Sequence, residues 1–131
     1  MASIFTKIIN REIPAYIVAE DEQFIAFLDV FPVAHGHVLV VPKKEVDYLF
    51  DLDEATYAGL MHFAKKVAKA VEQVFTCERI GVAVIGLEVP HCHVHLVPLQ
   101  TMEDINFSKP KLELSKETML EYQQKIVQAL D

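Results

Sequence analysis

The 131-residue chain is 52% hydrophobic and 24% charged, the balance of an ordinary globular protein and not of a disordered one. Its 12 Lys and Arg against 19 Asp and Glu leave a formal charge of -7, which repels a polyanion and excludes a module for long nucleic acid, though not a ligand bearing a few phosphates. No run approaches the ~18 apolar residues that cross a bilayer, so no membrane partner is expected.

Met1 to Asn10 mixes Ser3, Thr6 and Lys7 among apolar residues and lacks the uninterrupted core of a signal peptide. Cys77 and Cys92 fall in no CxxC pattern, so neither a disulfide framework nor a structural zinc is suggested, and the expected setting is the reducing cytoplasm. Ala15 to Glu20 and Gln23 to Asp29 are β-rich runs joined by Asp21 and Glu22, a hairpin without Gly. His37 to Val41 is a third strand, entered through Gly36 and closed by Pro42.

From Asp53, the residues Tyr57, Leu60, Met61, Ala64, Val67, Ala68, Val71, Val74 and Phe75 recur at steps of three and four. Lys65, Lys66, Lys69 and Glu72 take the opposite face of this long amphipathic helix. Gly81 to Ile85 and His91 to Pro98 are further strands, and Thr101 to Leu114 reads as an irregular excursion. Ser115 is placed to cap a last helix whose stripe is Met119, Tyr122, Ile126, Val127 and Leu130. The expectation is an α+β fold in one domain over residues 1–131, with a five-stranded, mainly antiparallel meander, one long helix and a C-terminal helix.

HCHVHLVP sets His91, His93 and His95 at alternate positions, so in a strand the three imidazoles share one face while Cys92, Val94 and Leu96 pack on the other. A core gains little from three polar rings that each need partners, so the row points to chemistry. A lone histidine such as His62 carries no such implication. His91 and His95 stand ~13 Å apart at ~3.3 Å per residue, too far to reach one zinc with ~2 Å bonds. A metal-dependent hydrolase would therefore have to recruit His35, His37, Glu88 or Cys92 as well. The row suits phosphate better: a neutral imidazole attacks phosphorus without a separate base, and flanking rings donate to the oxygens where charge gathers.

The triad resembles the signature of the histidine triad (HIT) family, and IFTKIINREIPA, FLDVFP around Asp29 and GHVLVVPK around His37 occur in the order and approximate spacing of its Hint-like branch. The resemblance spans roughly Ile4 to Leu99. It implies a homodimer that binds a purine nucleotide and transfers or hydrolyses nucleotidyl groups without a cofactor or catalytic metal. Carried over by position, His93 is the nucleophile that forms a nucleotidyl-histidine, and His91 and His95 are the flanking histidines. His37 is the further family histidine, Asp29 the acceptor for ribose hydroxyls, and Phe5, Ile8, Phe27 and Leu28 the apolar base pocket.

Four features depart from that pattern. GLEVP stands before the triad where relatives commonly carry Gly-Gln-Ser, so Leu87 and Glu88 replace phosphate-facing donors, and GVAVIG lacks the usual Asn. Glu88 is then expected to accept a hydrogen bond from a triad histidine or a cationic leaving group. Thr6 replaces a Cys common in zinc-binding members, and Trp is absent. A nucleotide-binding scaffold with little turnover therefore stands beside the phosphoramidase and metal-hydrolase readings.

Overall fold

The computed structural model describes residues 2–131. Its strands are β1 (Ile17–Glu20), β2 (Phe24–Leu28), β3 (Val38–Pro42), β4 (Arg79–Ala83) and β5 (Val94–Leu99); its helices are α1 (Ile4–Ile9), α2 (Glu54–Val74) and α3 (Lys116–Leu130). All five strands form one antiparallel sheet in the order β1-β2-β3-β5-β4, giving the expected α+β architecture. Only the first three strands make a meander. Because β3 and β4 are both antiparallel to β5, they run parallel to each other, and a parallel pair needs a long crossover, which α2 supplies.

The β1–β2 turn works without Gly because Asp21 Oδ1 accepts the N–H groups of Gln23 and Phe24, each at 2.8 Å. Alternation then sorts β2. Phe24, Ala26 and Leu28 join Val38, Val40, Val94 and Leu96 beneath Leu60, Ala64, Val67 and Val71 of α2. Ile25 and Phe27 join Leu39 and Val41 on the opposite face, where Phe5 and Ile8 of α1 cover them.

Asp53 caps α2 by accepting Thr56 N–H, and Ser115 caps α3 by accepting Thr118 N–H. Met119 and Ile126 of α3 are buried as expected, but Val127 is exposed. The six-residue α1 is too short to show a helical period in the sequence and was not expected. Among the described residues no helix is long and apolar enough to cross a membrane.

After β5 the chain makes a single 3-10 turn at Met102–Ile105, closed by a Thr101–Asp104 capping box. It turns again at residues 107–109, and Leu112 N–H donates to Pro32 O at 2.9 Å, drawing this segment across the loop that leads into β3.

Candidate active site

His95 lies in β5, but His91 and His93 precede it, because the strand begins at Val94 and not at His91 as expected. The lead-in is held by Cys92 N–H on Val46 O at 2.7 Å, while Cys92, Val94 and Leu96 sink into the core under α2. The three imidazoles accordingly lie on the α1 face of the sheet. His91, His93 and His95 are buried, at 0%, 7% and 8% exposure.

The proton on each ring follows from its partners. His93 Nδ1 sits 2.7 Å from His91 O, and a carbonyl only accepts, so Nδ1 carries the hydrogen and Nε2 keeps its lone pair. His37 Nδ1 accepts Val33 N–H at 3.1 Å, so its Nε2–H donates to His95 Nδ1 at 2.9 Å. His95 must then carry its own hydrogen on Nε2, ready to donate. His91 Nε2–H donates to Pro42 O and its Nδ1 accepts from Ser3 Oγ, both at 2.7 Å.

Burial favours the neutral form of His37, His95 and His91. It is the largest cause that pushes His37 down to about 3, with the charge of Lys111 adding to it. His95 is also pushed to about 3, by burial, then by His37 and His93, against the opposing carboxylate of Asp29. His91 is lowered by burial too, although its bond to Pro42 and the charge of Glu45 work the other way. Part of the enclosure comes from Phe107, whose ring centroid lies 4.7 Å from that of His95 and 5.9 Å from that of His37.

The expected residues separate into three groups. Asp29 joins the His37–His95 pair, with Oδ2 3.6 Å from His37 Nε2 and Oδ1 accepting Phe31 N–H at 2.8 Å. Phe5, Ile8 and Phe27 share the triad face, and Phe5 packs edge-on at 4.9 Å from His93 and 5.5 Å from Phe27. Leu28 is a correction: strand alternation turns it to the other face, where it is core beneath α2. Glu88 is exposed and bonds to none of the triad rings, whose ring nitrogen partners are the backbone, Ser3, Thr6 and His37. His91 is corrected as a proton donor to substrate, since both its nitrogens are engaged within the protein.

Sequence reasoning missed Ser3, Glu45, Phe107 and Lys111. Ser3 and Glu45 lie 88 and 46 positions from His91, and Phe107 belongs to a segment with no periodicity to read.

Neither polar cluster suits a metal. Asp29, His37 and His95 bring one ligand atom each to within 4.8 Å of one another. Two ~2.0 Å bonds at a tetrahedral zinc would hold nitrogens about 3.3 Å apart, whereas the 2.9 Å between His37 and His95 fits a shared proton. Around Thr6 the donors are two hydroxyls, Glu45 and His91, already bonded to one another and lacking the thiolates that favour zinc.

Residues 10–102 match the HIT domain family. An uncharacterized HIT-like protein of Borreliella burgdorferi is 33% identical over 94% of this chain and 94% of its own length. The adenosine 5'-monophosphoramidase HNT1 of Saccharomyces cerevisiae is 37% identical over 74% of this chain and 62% of that protein. A crystal structure of a Hit-like protein from Bartonella henselae superposes with TM-score 0.84 at 34% identity, covering 97% of this chain and 95% of that one.

Proposed function

The chain belongs to the histidine triad (HIT) family of nucleotide hydrolases and transferases, and from that premise we propose that it hydrolyses purine nucleoside phosphoramidates through a nucleotide held covalently on His93. The observation that carries this reading is the 2.7 Å bond from His93 Nδ1–H to His91 O, which leaves the Nε2 lone pair available as the nucleophile. Support also comes from the similarity to the yeast adenosine 5'-monophosphoramidase.

In the first step His93 Nε2 forms a bond to phosphorus and the P–N bond of the substrate breaks. Its electron pair stays on nitrogen, which takes a proton from solvent and departs as the amine. His95 Nε2–H donates to a non-bridging oxygen throughout, and His91 O stabilises the positive charge on the phosphorylated ring. Water then attacks phosphorus and gives up a proton to solvent, the His93–P bond breaks with its electron pair returning to Nε2, and the nucleoside monophosphate leaves a neutral His93. Asp29 accepts from the ribose hydroxyls, Phe5, Ile8 and Phe27 shape the apolar side, and His37 fixes the tautomer of His95.

The protein acts as a cytoplasmic homodimer in this reading. Support for self-association comes from β4, an edge strand with Val82 exposed and followed by exposed Ile85 and Leu87.

Mixing the protein with adenosine 5'-phosphoramidate in excess chelator and reading intact mass tests the reaction. The wild-type chain is expected to gain one AMP and His93→Ala none. Absence of the adduct at saturating substrate, or its appearance on His93→Ala, rejects the covalent route.

A further inference from the structure

We infer that Ser3 and Glu45 are positioning residues: they form a strap that fixes His91, and through its carbonyl the orientation of His93. This rests on His93 being the nucleophile, as proposed above. The strap joins three parts of the chain that meet only in the fold, namely the cap of α1, the segment after β3 and the lead-in to β5. Each link can be followed as a directed hydrogen bond.

Glu45 Oε1 accepts Ser3 N–H at 2.7 Å and the Thr6 hydroxyl at 2.6 Å. Those two bonds hold its carboxyl down at about 2, so it stays ionised and purely accepting. Because the Thr6 proton points to Glu45, Thr6 has none to give His91, from which its oxygen stands 3.4 Å away. The Ser3 hydroxyl therefore supplies the proton, and its 2.7 Å contact with His91 Nδ1 is the shorter one. The same Ser3 oxygen accepts Thr6 N–H at 3.0 Å, so the cap of α1 and the bond to His91 share one atom.

On the far side His91 Nε2–H donates to Pro42 O, which leaves the ring no freedom to exchange tautomers. The main chain at His91 is pinned as well, with its N–H on Val89 O at 2.8 Å and the next N–H on Val46 O at 2.7 Å. Its carbonyl is therefore presented to His93 Nδ1–H from a fixed frame. Phe5 of α1 packs at 5.9 Å on His91 and 4.9 Å on His93, so the seating of the helix and the aim of the nucleophile are set together. Ser3 is 6% exposed and His91 0%, so water has little access with which to replace the link.

The consequence is specific to orientation. Losing the strap should lower the rate of attack while leaving nucleotide binding nearly intact, because neither Ser3 nor Glu45 touches substrate in the reading above. Glu45→Ala is informative beside Ser3→Ala, since Glu45 does not cap α1, and Ser3→Thr retains the hydroxyl and should restore function.

Long-range imidazole 15N spectra read the ring tautomers without any turnover, and labelling by adenosine 5'-phosphoramidate reads the rate. In the wild-type chain His93 is expected as one Nδ1–H tautomer and His91 as Nε2–H. Ser3→Ala and Glu45→Ala are expected to populate the other His93 tautomer and slow labelling about tenfold, with KM changed less than about twofold, while Ser3→Thr recovers both. A single unaltered His93 tautomer in Ser3→Ala and Glu45→Ala overturns the strap, whether or not labelling slows. That outcome leaves the covalent reaction standing, whereas a wild-type chain that never labels rejects the reaction and the inference with it.

Discussion

The hydrogen bond between His37 and His95 needs one ring to donate and the other to accept, which only neutral imidazoles can do in this arrangement. Both titrate at about 3 in the folded protein and near ~6.5 in an unfolded chain, so between those values the unfolded chain binds more protons. The stability that depends on their neutrality is fully present above pH ~6.5 and drains away as pH falls toward 3. Between pH 6.5 and 4.5 the unfolding free energy is expected to fall by on the order of 2 kcal/mol for each ring, read as a steadily dropping Tm, and His37→Gln should flatten the slope. A wild-type Tm that does not change over that range would contradict the assignment. The shared face of the three histidines was legible from alternation, because Cys92, Val94 and Leu96 are apolar. What each ring bonds to was not, since Ser3 lies 88 positions from His91 and His37 lies 58 from His95. The base-pocket assignment failed at Leu28 for a related reason: consecutive residues of β2 face opposite ways, so Phe27 and Leu28 could not both look toward the triad.

Among the elements, α2 and its Asp53 cap were readable because 21 residues repeat their pattern several times over, whereas the six residues of α1 give less than two turns. The insertion of β5 between β3 and β4 was not readable, because strand order depends on which edges meet and not on any local period. Thr101 to Leu114 was expected as an irregular excursion and has that form, yet it brings Phe107 against His95 and His37. Replacing Phe107 with Ala admits water to both rings, so their basicity should rise toward the ordinary histidine value. Histidine NMR titration is expected to move both midpoints up by about one unit, with His91 unaffected. Midpoints that stay in place would mean that the rings are buried by other groups.

At the scale of the molecule the two edges of the sheet are treated differently. At the β1 edge Gln123 of α3 donates to Ile17 O at 2.8 Å, while β4 leaves Val82 53% exposed. If two copies join through β4, Val82→Lys should shift the protein from dimer to a 14.9 kDa monomer in light scattering after gel filtration. A monomeric wild-type chain would reject self-association, and a variant that stays dimeric would place the interface elsewhere. Fold class was accessible from sequence because element lengths and periods determine it; the edges and the roof over the histidines depend on contacts between distant segments. That roof has an evolutionary corollary. The span shared with the HIT domain family stops at residue 102, so the phenyl group shielding His37 and His95 comes from the part of the chain beyond it. A change of that one residue would retune the acidity of two imidazoles at once, while the histidines themselves stay as they are.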